Sequence, residues 1–389
     1  MNYRRYYDFL ADEAFKDQYT EADYAFFDKH NLTMYFYAND EAIKQKDLID
    51  YKTTLLMHKL SYKNMLIELR EITKALEANA IEYLILKGVA ISETYPEPFA
   101  RVMGDHDILV QPKDFEAAIE ALKTLDYIPD EETVTFKDVT LYKEGQLMIE
   151  LHHAILRSDQ EYYAEHFTDA LWESRIKHDF GYGLFSVPNP EMHFRYITLH
   201  MMKHLKGMGF GIRHLLDFKY FALAHGIDLE KQVAFFNEIG YGAFYRAIAT
   251  ICHFELKMEV GSETWLFPRD SAVVQTLAEL IAEIGVFGRD SEKINSERHF
   301  ERFKTSVNSD SIFKIFMVSL FPGSALLTEH YQYAINNTWL LPIAWGHRLV
   351  RTVFSKEKPI KEKLFFFTKD EKNLAEVVYM MKMLGLRND

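Results

Sequence analysis

A strand-rich stretch set between long runs of helical periodicity is the feature that most limits what this chain can fold into. Before residue 80, Leu55, Leu56, Leu60, Met65, Ile67, Leu69, Ile72 and Leu76 recur near the helical period, which predicts helices ending in one long amphipathic segment. From Ile81 the pattern breaks into short apolar runs. IEYLILKG is closed by Gly88, and VMGDHDILV carries its acids at alternate positions. Phe115, Ala118, Ile119, Leu122 and Leu125 then predict a helix opening near Pro112. TVTFKDVTLYKE and QLMIELHHAI read as strands joined by a turn at Glu144 and Gly145. Past Pro188 and Pro190, helical spacing runs to the C-terminus. The expected class is therefore α+β. A small mixed-sheet core over 81–185 is flanked by an N-terminal helical region over 1–80 and a larger helical domain over 186–389. A chain of 389 residues also exceeds what one hydrophobic core usually serves.

Charge narrows the range of partners. The net charge of -13 argues against long DNA or RNA, because a phosphate backbone is gripped by an excess of Lys and Arg. The single cysteine, Cys252, has no internal partner for a disulfide, and charges interrupt the N-terminal MNYRRYYDFLADEAF where a leader would be apolar. A cytoplasmic protein is expected. The most apolar run, Ile315 to Leu327, is too short for a membrane span, which needs about 20 residues, and it contains Pro322 and Gly323. The segment HRLVRTVFSKEKPIKEKLFFF mixes Arg348, Arg351, Lys356, Lys358, Lys361 and Lys363 with aromatics and reads first as a solvated helix face, with a membrane or acidic partner as the competing reading.

Chemistry concentrates in the strand-rich stretch. Asp105 and Asp107 lie two apart in a predicted strand, so both side chains leave one face with about 6.5 Å between their Cα atoms. Charged residues opening an apolar strand are costly to bury unless a cation meets them. Glu150 repeats the arrangement in LMIELHH, although singly it also suits an edge strand facing water. Three acids on two strands suit a pair of magnesium or manganese ions about 3.5–4 Å apart, the device of phosphoryl and nucleotidyl transfer. Their mutual repulsion predicts that neutralising one of them relieves the fold. Lys87 and Gly88 end the first strand, where a glycine lets backbone approach a phosphate. The same pair also suits a plain turn, and the spacing of a P-loop is absent. His106, His152 and His153 lack the spacing of a zinc site, and His152 is better read as orienting a carboxylate or phosphate. In the helical half, His200, Lys203 and His204 share one helix face, and Arg213 and Asp217 share another after the turn at Gly207, Gly209 and Gly211. These faces suit either a cleft wall or a polar seam between helices.

In order, LKGVAISETYP, ARVMGDHDILV and IELHH resemble the catalytic core of the polymerase-beta-like nucleotidyltransferases, in particular a bacterial branch of largely uncharacterised members with a trailing helical segment like LHMMKHLKGMGFGIRHLLDF. The motifs cover roughly residues 80–220. The resemblance implies that Asp105 and Asp107 hold both metals and that Glu150 completes one site. It also implies that Lys87, Gly88 and Arg101 meet the triphosphate, with Lys203 and Arg213 as triphosphate or acceptor contacts and His152, His200, His204 and Asp217 behind them. One departure is that Val89 stands where the superfamily commonly has a serine, so a hydroxyl contact to phosphate is absent.

The implied reaction is transfer of a nucleoside monophosphate from a nucleoside triphosphate, with pyrophosphate leaving. The expected acceptor is a small molecule such as a sugar or an aminoglycoside-like alcohol, which suits an acidic chain. Two other readings stay open: a toxin-like enzyme that places AMP on a target protein, and a binding module with a decayed site.

Overall fold

The computed structural model describes residues 3–12, 20–39, 48–130, 138–155, 163–206, 209–285, 321, 323, 331–335, 337–354 and 379–386. Several sequence readings lie outside the described residues: the opening of the TVTFKDV strand over 133–137, Gly207, most of the Ile315–Leu327 run, and Lys356, Lys358, Lys361 and Lys363. Two compact units are present, one of Met1–Phe287 with Met380–Asp389 and one of Gly288–Tyr379.

The first unit opens with helices α1 (Arg4–Asp12), α2 (Glu21–Lys29), α3 (Thr33–Asn39) and the long α4 (Leu48–Ala78). β1 (Tyr83–Ile85), the single turn α5 (Val89–Ser92), β2 (Asp105–Val110), α6 (Phe115–Lys123), β3 (Ile128–Pro129), β4 (Asp138–Tyr142) and β5 (Met148–His152) follow. Then come α7 (Ala164–Glu173), the hairpin β6 (Arg175–Asp179) and β7 (Leu184–Pro188), and α8 (Pro190–Lys206), α9 (Arg213–Ala224), α10 (Leu229–Glu238), α11 (Gly242–Leu256) and α12 (Ala272–Ile284). In the second unit, α13 (Gln332–Ile335) and α14 (Leu341–Phe354) bury Tyr331, Ala334 and Ala344 together.

The sheet runs β1-β2-β5-β4-β3. Only β2 and β5 are parallel, and every other neighbouring pair is antiparallel. This is the mixed α+β architecture that the periodicity predicts. One face of the sheet packs on α4 and α6, where Leu69, Ile72 and Leu76 meet Ile85, Ile108, Val110, Ala118, Leu122, Ile149 and Leu151 in one core. Full burial of side chains of this size stabilises by roughly 1.5–3 kcal/mol each, so this layer fixes where the strands lie. The β6–β7 hairpin is absent from the sequence reading. RIKHD is mostly exposed and polar, so it lacks an apolar stripe to announce a strand, whereas Phe185 and Val187 of β7 join the core.

Candidate active site

The acids gather because of strand register. Along β2, Asp105 and Asp107 fall on one face by the two-residue repeat, and across the parallel pair Asp107 stands directly opposite Glu150. Neighbouring strands lie about 4.8 Å apart, so the two carboxylates are held side by side by backbone hydrogen bonds. Asp107 is buried, and the Glu150 side chain is 39% exposed, which opens this face to solvent.

Positive charge answers them. Lys87, which follows β1, sets its Nζ 2.8 Å from Asp107 Oδ1 and 2.9 Å from His200 Nε2 on α8. His152 lies one repeat beyond Glu150 on β5. Its Nε2 is 3.3 Å from Asp107 Oδ1 and 3.5 Å from Glu150 Oε2, and its Nδ1 is 3.4 Å from Asp138 Oδ2 on β4. Burial alone would depress the His152 imidazolium, but its hydrogen bonds to Asp107, Asp138 and Glu150 outweigh this and raise it to about 10. Burial would raise Asp107, yet the neighbouring Lys87 and His152 hold it well below the usual carboxylate range. Asp105 lacks such close cover. Burial and the charge of Asp107 push it up to about 6, against the opposing pull of Lys87. For Lys87, the attraction of Asp107, Asp105 and Glu150 outweighs the burial that would lower it, so it stays charged.

A cleft beside this cluster is lined by Lys87, Asp107, Glu150, His152, Tyr196, His200 and Lys203, with Ile155 and Leu199 as its apolar wall. The helical residues come from one face of α8, since 196, 200 and 203 follow the four- and three-residue steps of a helix. Gly88, Arg101, Asp105, His204, Arg213 and Asp217, all singled out in the sequence, lie outside that lining.

Arg101 and Asp217 instead form a buried fork. Arg101 Nε donates to Asp217 Oδ1 at 2.6 Å, Nη2 donates to Oδ2 at 2.9 Å, and Tyr95 Oη donates to Oδ1 at 2.6 Å. Burial would raise Asp217, but Arg101 brings it to about 2. Arg101 Nη1 also reaches the Gly88 carbonyl at 3.4 Å, and Arg213 Nη1 donates to the Val102 carbonyl at 2.9 Å. Both arginines therefore tie the chain on either side of the 89–100 loop to α9. Gly88 itself has φ of 56°, a left-handed conformation that suits glycine. The backbone N–H groups of Ala90, Ile91 and Ser92 bond back to Lys87 and Gly88, so this single turn aims none of them outward.

Three contributors escaped sequence reasoning. Asp138 meets His152 only because β4 and β5 pair in that register. Tyr196 carried a usable signal, one helical turn before His200. The third is the contact between His200 and Lys87, which joins residues 113 apart in sequence. His106 faces away from the acids, 3.7 Å from Glu68, and His153 packs on Phe115, so neither joins His152.

The donor set fits divalent cations. Carboxylate oxygens suit hard ions such as magnesium or manganese, and Asp107, Glu150 and His152 offer ligand atoms within 4.8 Å of one another. The Lys87 ammonium against Asp107 shows that the cluster demands positive charge at this point.

A mixed sheet whose parallel pair carries these acids, walled by a helix bearing lysine and histidine, has the make-up of a group-transfer core. The chain belongs to the family of uncharacterised nucleotidyltransferases, whose model matches residues 24–254. That membership supports a transferase with a nucleotide substrate. Among solved structures, an antigenic nucleotidyltransferase-like protein from Paracoccidioides brasiliensis is similar at 14% identity and a TM-score of 0.33, over 52% of this chain and 94% of that one. No curated protein matches the chain. No helix among the described residues is long and apolar enough to cross a membrane.

Proposed function

We propose that the protein is a metal-dependent nucleotidyltransferase that passes a nucleoside monophosphate from a nucleoside triphosphate to a small neutral or cationic acceptor. The observation that carries this reading is the pairing of Asp107 with Glu150 across β2 and β5, with Asp105 on the same face. Asp105, Asp107 and Glu150 would hold two magnesium or manganese ions, which would supply charge neutralisation for the triphosphate and acidify the attacking hydroxyl. The acceptor oxygen attacks the α-phosphorus in line, the bond to the bridging oxygen breaks, and pyrophosphate leaves with the electron pair. Glu150 or Asp105 takes the hydroxyl proton.

Lys87, from the end of β1, and Lys203, from α8, bring positive charge to the cleft, and α8 closes one side of it. Arg101 and Arg213 act through the loop they hold. The acidity of the chain favours an acceptor without negative charge. Calorimetric titration with each nucleoside triphosphate tests the reading. Binding is expected with magnesium or manganese and lost with EDTA, and equal affinity in both conditions contradicts it.

A further inference from the structure

The end of α8 and the start of α9 carry a cluster that nucleotidyl transfer does not require. His200 and His204 stand one turn apart on α8, and their Nε2 atoms are 3.1 Å from each other. His214, in the first turn of α9, brings a third imidazole, with its ring centre 5.6 Å from that of His204. Ligating atoms of all three lie within 4.8 Å of one another. His214 is buried, and its Nδ1 has no hydrogen-bond partner. Lys87 Nζ and His204 Nε2 both converge on His200 Nε2, which engages two of the rings and leaves the His214 nitrogen unexplained.

We infer that His200, His204 and His214 form a second metal site, taking a borderline transition-metal cation such as zinc. Zinc–imidazole bonds of about 2.0–2.1 Å in a tetrahedral site place the nitrogens about 3.4 Å apart, close to the observed spacing of His200 and His204 and within a side-chain adjustment for His214. Two histidines four apart on a helix with a third from a neighbouring element leave a fourth position for water or substrate. His200 lines the cleft, so that position faces the same space as Glu150 and Lys203. Burial, followed by nearby positive charge, holds all three rings neutral, which is the ligating form. Nitrogen donors separate this site from the carboxylate site, whose oxygens suit magnesium or manganese. Lys87 gives up His200 when the ion binds and keeps Asp107 as its partner.

The test uses the full chain stripped with EDTA and titrated with zinc chloride under saturating magnesium. One zinc per chain is expected to bind. His204→Ala and His214→Ala each weaken it by roughly 100-fold or more, beyond the 10- to 100-fold that loss of an outer partner costs. The double variant Asp107→Asn with Glu150→Gln still binds one zinc per chain, since all three imidazoles remain. Should a buried histidine variant misfold, X-ray absorption at the zinc edge of the wild-type protein decides the matter. Three imidazole ligands support the site, whereas one imidazole with carboxylates assigns the ion to Asp107, Glu150 and His152 and overturns it. Absence of stoichiometric zinc binding overturns it as well.

Discussion

Asp107 sits where three demands meet: it pairs with Lys87, it is bonded by His152, and it stands across from Glu150. Repulsion among the acids argues from sequence that neutralising it relieves the fold. The two cationic partners reverse that sign, because removing one member of a buried ion pair leaves the other uncompensated, at a cost of about 3–5 kcal/mol. Lys87 keeps Asp105 and Glu150 as neighbours, which sets the expected loss at the lower end of that range. Asp107→Asn is thus predicted to lower the melting temperature and to cut turnover on the order of 1,000-fold, the rate equivalent of ~4 kcal/mol. Calorimetric melting beside a pyrophosphate-release assay checks both parts, and wild-type turnover would remove Asp107 from the metal site. Lys203 is predicted to be more selective. Lys203→Ala should weaken triphosphate binding and leave monophosphate binding unchanged, as read by paired titrations. Unchanged triphosphate affinity returns this lysine to a structural role.

Between elements, the fork of Arg101 on Asp217 joins the loop before β2 to α9, and with it the strand that carries Asp105 and Asp107. Replacing Asp217 with Asn is predicted to destabilise by about 3–5 kcal/mol in denaturant unfolding, since the buried Arg101 guanidinium then loses its carboxylate. A change under about 0.5 kcal/mol would mean that the fork is idle. His30 links elements in the same way. Its ring bonds to the Ala282 carbonyl at the end of α12 and receives the Ile212 N–H before α9. Burial lowers it from 6.5 to about 4, so the folded state resists the proton that the unfolded chain accepts. Stability from this group is full above pH 6.5 and is lost as pH falls toward 4, by on the order of 3 kcal/mol. Unfolding free energy measured across that window should slope less steeply in His30→Gln than in wild type.

At this scale the sequence is legible where the signal is local. Alternation alone puts Asp105 and Asp107 on one face, and helical spacing alone puts His200 and Lys203 on another. Pairings that depend on strand register or on the crossing of helices leave no local mark, which is why Asp138, the bond from Lys87 to His200 and the Arg101 fork emerge only from the fold. The β6–β7 hairpin escapes for a different reason, since its outer strand is too polar to announce itself.

For the whole molecule, the sheet and its edges supply the acids with Lys87 and His152, and α8 adds Lys203 and His200, so the cleft is complete only when both layers are folded together. Nucleotide binding is accordingly expected to raise the melting temperature of the first unit only when a divalent ion is present. The central claim is transfer itself. It is tested most directly by incubating the protein with α-phosphate-labelled nucleoside triphosphates, manganese or magnesium and a cell extract, then separating small molecules from proteins. The account predicts label on a small molecule, with release of pyrophosphate, lost with EDTA and in Asp107→Asn. Label on a protein band would keep the chemistry and overturn the acceptor. No transfer from any nucleoside triphosphate, or transfer undiminished in Asp107→Asn, would contradict the account.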